Sequence, residues 1–155
     1  MLYMPMLKKP RRRCLNCNKE TSRAGYKYCN NVCQMEHQYR SYIERWRVGE
    51  VSGLQGLGIV SKHIKRYLRE KFRNKCCLCD WAEVNQRTGQ VPLVADHIDG
   101  DWHNNIEGNL RLLCPNCDSL TLTYAGLNRG GGRKGRVLSK RAREGRRLIA
   151  SRKRN

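Results

Sequence analysis

Cysteines set the tightest limits on what this chain can fold into. Nine occur in 155 residues, and eight fall in close pairs: Cys14-x-x-Cys17, Cys29-x-x-x-Cys33, Cys76-x-x-Cys79 and Cys114-x-x-Cys117. Apolar residues make up 39% of the chain with a single Phe, too little for one large core, and small domains of this kind depend on staples. A disulfide scaffold is the competing reading. The C-x-x-C spacing and the lack of a secretory signal pattern in MLYMPMLKKPRRR favour thiolate-bound zinc in a reducing compartment. No apolar run approaches membrane-span length, so the expectation is a soluble, cytoplasmic protein with no membrane partner.

Lys and Arg number 32 against 13 acidic residues, a formal net charge of +19. Ordinary surfaces mix both signs, so an excess of this size points to a polyanion. Charge alone does not separate a nuclease from a nucleic-acid-binding or ribosomal module.

Five segments follow from composition and periodicity. Residues 1–12 form a basic leader. Residues 13–49 hold a compact four-Cys set, Cys14, Cys17, Cys29 and Cys33. After it Val32, Met35, Tyr39, Tyr42, Ile43 and Trp46 recur at helical spacing, which resembles a treble-clef-like zinc finger with its last ligands at the entry to a helix. His37 reads as an ordinary helix-surface residue, since four cysteines already saturate a structural site. Residues 50–60, with Gly53, Gly56 and Gly58, read as a linker between two small modules. Residues 61–128 open with Ser61 as an N-cap, followed by an apolar stripe of Ile64, Tyr67, Leu68 and Phe72. Residues 129–155 form a basic tail with twelve Lys or Arg and one acid. There Arg129, Arg133, Lys134, Arg136, Lys140, Arg141, Arg143, Arg146 and Arg147 are candidate DNA contacts, in a segment expected to be flexible when free.

The stretch from Val94 to Leu120 carries the chemistry. Val91 to Ala95 reads as a strand ending at Asp96-His97, a polar loop runs from Asp99 to Gly108, and Leu110 to Leu113 reads as the return strand. Cys114-Pro115-Asn116-Cys117 then opens a short helix. Successive strand residues face opposite sides, so the first strand must end or twist where Asp96 and His97 meet.

From Asn74 to Arg136 this pattern resembles the HNH endonuclease family: an Asp-His pair, a later Asn-Leu, and a C-x-x-C with one further ligand behind it. The resemblance implies a small α+β protein with a zinc-stapled ββα-metal core, its knuckle formed by Cys76 and Cys79 with Cys114 and Cys117. Cys77 is then a spare thiol. Also by resemblance, His97 is the general base, Asp96 a metal ligand and Asn109 the brace of the loop that aims His97. Asp118 stands where the family usually has its last His, and would supply the second metal ligand.

The implied cofactors are two structural Zn²⁺ and one catalytic divalent cation. Two carboxylates and water favour Mg²⁺ or Mn²⁺ for the latter. The implied activity is hydrolysis of phosphodiester bonds in double-stranded DNA, in a protein of phage or mobile-element type. The alternative is a degenerate HNH fold that binds DNA without cutting it, for which Asp118 is the sequence support. RNA or ribosome binding would leave Asp96, His97 and Asn109 unexplained. Oligomeric state is not encoded in any pattern found.

Overall fold

The computed structural model describes residues 10–56 and 59–127. The candidate DNA contacts from Arg129 to Arg147 and most of the leader lie outside these residues. The described residues form a small mixed protein of short elements with no closed sheet among them. Helix α1 spans Asn31–Arg47, the two-residue strands β1 (Leu54–Gln55) and β2 (Ile59–Val60) pair antiparallel, and α2 spans Lys62–Lys71. Strands β3 (Val94–His97) and β4 (Leu110–Leu113) form a second antiparallel pair, and α3 (Pro115–Ser119) follows. Among the described residues no helix is long and apolar enough to cross a membrane.

Local chemistry explains the helix starts. The Asn30 side chain accepts from Cys33 N at 2.8 Å and opens α1, and the Ser61 hydroxyl accepts from Ile64 N at 3.2 Å and opens α2. Cys114 caps α3 through its sulfur, and Pro115 occupies the first helical position, where a missing N–H costs nothing. The strand expected from Val91 begins at Val94 instead, because Pro92 has no N–H and the chain turns there, with Leu93 N bonded to Val91 O.

A single apolar cluster joins the two halves of the chain. Tyr39, Ile43 and Trp46 of α1 pack with Val60, with Ile64 and Leu68 of α2, and with Leu110 and Leu112 of β4. Ile64 and Leu68 are fully buried, each contributing about 1.5–3 kcal/mol over leaving it exposed. Within residues 50–60, β1 and β2 pair, and Gly53 just before β1 sits at φ +79° with its backbone pressed on the core. A Cβ there would lie 2.7 Å from Ile64 Cδ1 and 2.9 Å from Asn105 Cβ, so the glycine is demanded by close approach as well as by backbone angle.

Candidate functional site

The β3–β4 hairpin sets out the candidate residues by register. Asp96 lies opposite Arg111 and His97 opposite Leu110. Asp96 and His97 are the last two residues of β3. His97 is the last residue of β3, and Gly100, at φ +75°, turns the chain immediately after it, as the alternation argument requires. Among the described residues no hydrogen bond or ion pair links His97 to Asp96 or Asp118.

His97 Nε2 lies 3.0 Å from Asn105 Oδ1. Asn105 is 3% exposed, and its Nδ2 donates to the carbonyls of Trp102 and His103 at 3.1 Å each. With its amide nitrogen so engaged, Asn105 must present oxygen to the ring. Nε2 then carries the hydrogen and Nδ1 keeps the lone pair, an assignment by hydrogen-bond logic. Asn105 is anchored in turn by Trp46 Nε1, which donates to its carbonyl at 2.7 Å across 59 positions of sequence. The helix of the N-terminal cluster thus reaches the residue that orients His97.

Asn109 holds the loop between the strands. Its Nδ2 donates to Asp99 Oδ1 at 2.8 Å and to Asn104 O at 2.7 Å, while its Oδ1 accepts from Asp99 N at 3.1 Å. Burial pushes the pKa of Asp99 up, but donors from Asn109, Asn104 and the Asp101 backbone outweigh it and hold the carboxyl below its ordinary value. Asp99 is thereby kept as the anionic anchor on which this loop closes.

Asp96, Arg111 and Asp118 form a second group. Arg111 Nε donates to Asp96 Oδ2 at 2.7 Å, an ion pair with side chains only 22% and 14% exposed. Asp118, in α3, is partly buried and makes no side-chain hydrogen bond among the described residues. Burial raises its pKa above the usual carboxylate range, the charge of Asp96 adds to this, and Arg111 opposes it. Two carboxylates thus share one guanidinium, which leaves a deficit of positive charge.

Both cysteine sets converge. In each, Cys14 with Cys17, Cys29 and Cys33, and Cys76 with Cys79, Cys114 and Cys117, the sulfurs lie within 4.8 Å of one another. Separations of 3.6 Å for Cys17–Cys29 and 3.7 Å for Cys79–Cys114 approach the roughly 3.8 Å edge of a tetrahedron with Zn–S bonds of about 2.3 Å. Burial opposes ionisation of Cys76, yet backbone donors from Cys114, Leu78 and Cys79 bring its thiol down to about 6. Hydrogen bonding with Cys79 and Cys114 pushes Cys117 up to about 12. Crowded thiols competing for protons in this way are suited to surrendering them to a metal ion such as zinc. Cys77 stays outside the set, its N–H bonded to Leu112 O.

No family model matches the chain, and no solved structure matches it. Over 123 residues it is 32% identical to the "H-N-H endonuclease F-TflIV" of Escherichia phage T5, a match covering 76% of this chain. The chain is homologous to an HNH endonuclease. It spans about half the length of that relative, 51%.

His97 is hydrogen-bonded to Asn105, and Asp118 lies close enough to Asp96 to feel its charge. In the sequence Asn105 has a place in the polar loop but no role, and Arg111 is not singled out. Asn105 looks like any polar loop residue until its contacts with Trp46 and His97 are seen. Arg111 could have been found from hairpin register, since once β3 and β4 are paired about the intervening loop it falls directly across from Asp96.

Proposed function

We propose that the chain is a metal-dependent HNH endonuclease that hydrolyses phosphodiester bonds of double-stranded DNA. In this reading the β3–β4 hairpin with α3 is the ββα-metal core, and the N-terminal four-Cys set is a treble-clef-like finger. The observation that carries the reading is the state of His97: Nε2 is held by a buried Asn105, so Nδ1 is left as the basic nitrogen. His97 Nδ1 takes a proton from the attacking water as its oxygen adds to phosphorus and the bond to the 3′-oxygen breaks. Asn109 keeps the loop, and with it Asn105 and His97, from shifting during that transfer.

Asp96 and Asp118 are the residues that would hold the catalytic cation. Their donor set fits one, since a partly buried carboxylate without its own hydrogen-bond donor beside a second carboxylate is short of positive charge. Two hard oxygen donors suit Mg²⁺ or Mn²⁺. When bound, such an ion supplies charge relief to the phosphate and the departing oxygen. The excess of basic residues, including the tail from Arg129 to Arg147, supports a DNA partner. Homology to a phage nuclease supports a phage or mobile-element origin and action in the cytoplasm.

The second reading is a DNA-binding protein on a degenerate nuclease fold. Asp118 at the usual His position and the Arg111 ion pair on Asp96 favour it. Supercoiled plasmid with Mg²⁺ or Mn²⁺ separates the two. The nuclease reading expects cutting by the natural chain and its loss, together with divalent-ion binding, in Asp118→Ala. A natural chain inert with every divalent ion, and switched on by Asp118→His, would establish the binder instead.

A further inference from the structure

The cations of the chain are treated in two ways. Around α1, α2 and the loop before β4, Arg45, Arg47, Arg66 and Lys71 each sit against a carboxylate. Residues 10–30 instead carry Arg11, Arg12, Arg13, Lys19, Arg23 and Lys27 against one acid, Glu20. All six are exposed, and among the described residues none of them is ion-paired. A zinc-bound four-thiolate set is itself anionic, and the segment stays positive beside it.

This cationic chain borders a cavity of about 550 Å³ lined by Gly25 to Asn31 and by Gln34. Two rings stand in the lining. Tyr26 is 49% exposed, with the Arg23 guanidinium 6.0 Å from its ring centre, and the Tyr28 hydroxyl lies 3.3 Å from His37 Nδ1. Asn31 and Gln34, both exposed in the first turn of α1, make no side-chain hydrogen bond among the described residues. Asn30 differs, its oxygen being committed to Cys33 N.

Uncommitted amides beside unpaired cations name the partner. A carboxamide presents one donor and one acceptor at the spacing of the N6 and N7 edge of adenine in the major groove, and neighbouring Lys and Arg take the phosphates. An acidic protein surface would use the cations but leave the amides idle. The major groove of B-form DNA, about 12 Å wide, admits a helix end, whereas the deep narrow groove of duplex RNA excludes it.

We infer that the first four-Cys module reads DNA sequence: Asn31 and Gln34 face base edges in the major groove while Arg23 and Lys27 hold adjacent phosphates. The face sets where the chain binds, not the chemistry at the bond. Helix α1 fixes its distance from that chemistry, since from Asn31 to Trp46, which donates to Asn105, the helix rises about 22 Å. At about 3.4 Å per base pair, the bases read lie about six base pairs or more to one side of the scissile bond. The inference rests on the nuclease reading for that distance alone, because the contact itself does not require cutting.

The test takes the full chain, without added divalent ion, against a pool of duplexes with a randomised segment. It reads the sequence of the bound fraction and the dependence of affinity on salt. The natural chain should enrich a short motif. Asn31→Ala/Gln34→Ala should reduce that enrichment about tenfold with the salt slope unchanged, since the lost contacts carry base information and no charge. Arg23→Gln/Lys27→Gln should do the reverse, keeping the motif and lowering the slope of log affinity against log salt by about 1.8, or about 0.9 for each phosphate contact. All four side chains are exposed, so zinc content and melting midpoint should match the natural chain. Duplex RNA of the same length should compete weakly.

Cleavage with Mg²⁺ is read separately, and the cut should fall outside the motif. A natural chain that never cuts, with the motif still lost in Asn31→Ala/Gln34→Ala, would end the nuclease reading and leave the reading face standing. The inference is overturned by a bound pool without a motif, by a motif that survives Asn31→Ala/Gln34→Ala, by a slope that Arg23→Gln/Lys27→Gln does not lower, or by duplex RNA competing as well as DNA.

Discussion

The two four-Cys sets use the same ligands but are wired differently into the protein. The second is built into the core. Cys76 is 0% and Cys114 4% exposed, they pack with the fully buried Leu113, and Cys117 directly precedes Asp118. A metal ion there would fix β4, α3 and one carboxylate of the candidate site at once. Cys14, Cys17 and Cys29 of the first set lie in irregular chain before α1 and Cys33 in its first turn, with Cys17 exposed, and the set reaches His97 through α1, whose Trp46 donates to Asn105. One staple is part of the site, whereas the other supports it from a distance.

The largest consequence concerns which staple is cut. Cys114→Ser should lose one zinc and, with it, the folded core and all cleavage, because metal binding and folding are one process in such modules. Cys17→Ser should also lose one zinc but keep the second set, the apolar cluster and most of its cleavage, since Tyr39, Ile43 and Trp46 still hold α1 in place. Elemental analysis with a plasmid assay reads both. Equal damage from the two substitutions would mean that the sets are not wired differently.

A smaller effect probes the link itself. Trp46→Phe keeps the ring but strands the buried Asn105 carbonyl, costing about 1–3 kcal/mol in a melting or denaturant experiment. It should also loosen the hold on His97, seen as a loss of the pure Nε2–H form in ¹⁵N spectra of the imidazole. A melting shift with the His97 signal unaltered would confine Trp46 to packing.

The smallest effect tests one polar link among α1, α2 and the loop before β4. Glu107 accepts from Lys71 at 2.8 Å, from the Tyr67 hydroxyl and from Arg47 at 2.9 Å, and these bonds, Lys71 first, pull its pKa down to about 2. A folded value below the unfolded one, near 4.3, stabilises the fold above that pH, and the benefit is lost as pH falls toward 2. Glu107→Gln should therefore melt lower at pH 7 by about 1–2 kcal/mol, discounted because the side chain is 26% exposed, and match the parent near pH 2. A gap that persists at pH 2 would point to shape rather than charge.

Legibility in the sequence followed the range of the interactions. The N-cap at Ser61, the return strand Leu110 to Leu113 and the helix opened by Cys114 and Pro115 are local matters, and they stand where residue chemistry put them. The convergence of each four-Cys set was legible because ligand spacing encodes it. The tight packing at Gly53 was not legible, because a glycine needed for close approach looks the same in sequence as one that loosens a chain, and only Ile64, Asn105 and Trp46 around it tell them apart. Asn105 and Arg111 escaped for a related reason: their partners arrive through tertiary folding and strand register, neither of which leaves a periodic trace.

Proton transfer by His97 is the central step of the proposed reaction. The decisive measurement is single-turnover cleavage of a DNA duplex by the natural chain and by His97→Ala, at matched zinc content and with Mg²⁺ or Mn²⁺ present. The imidazole is assigned only a proton to move, so the substitution should slow cutting by about 10²- to 10⁴-fold while leaving duplex affinity nearly unchanged. Undiminished cutting by His97→Ala would contradict it.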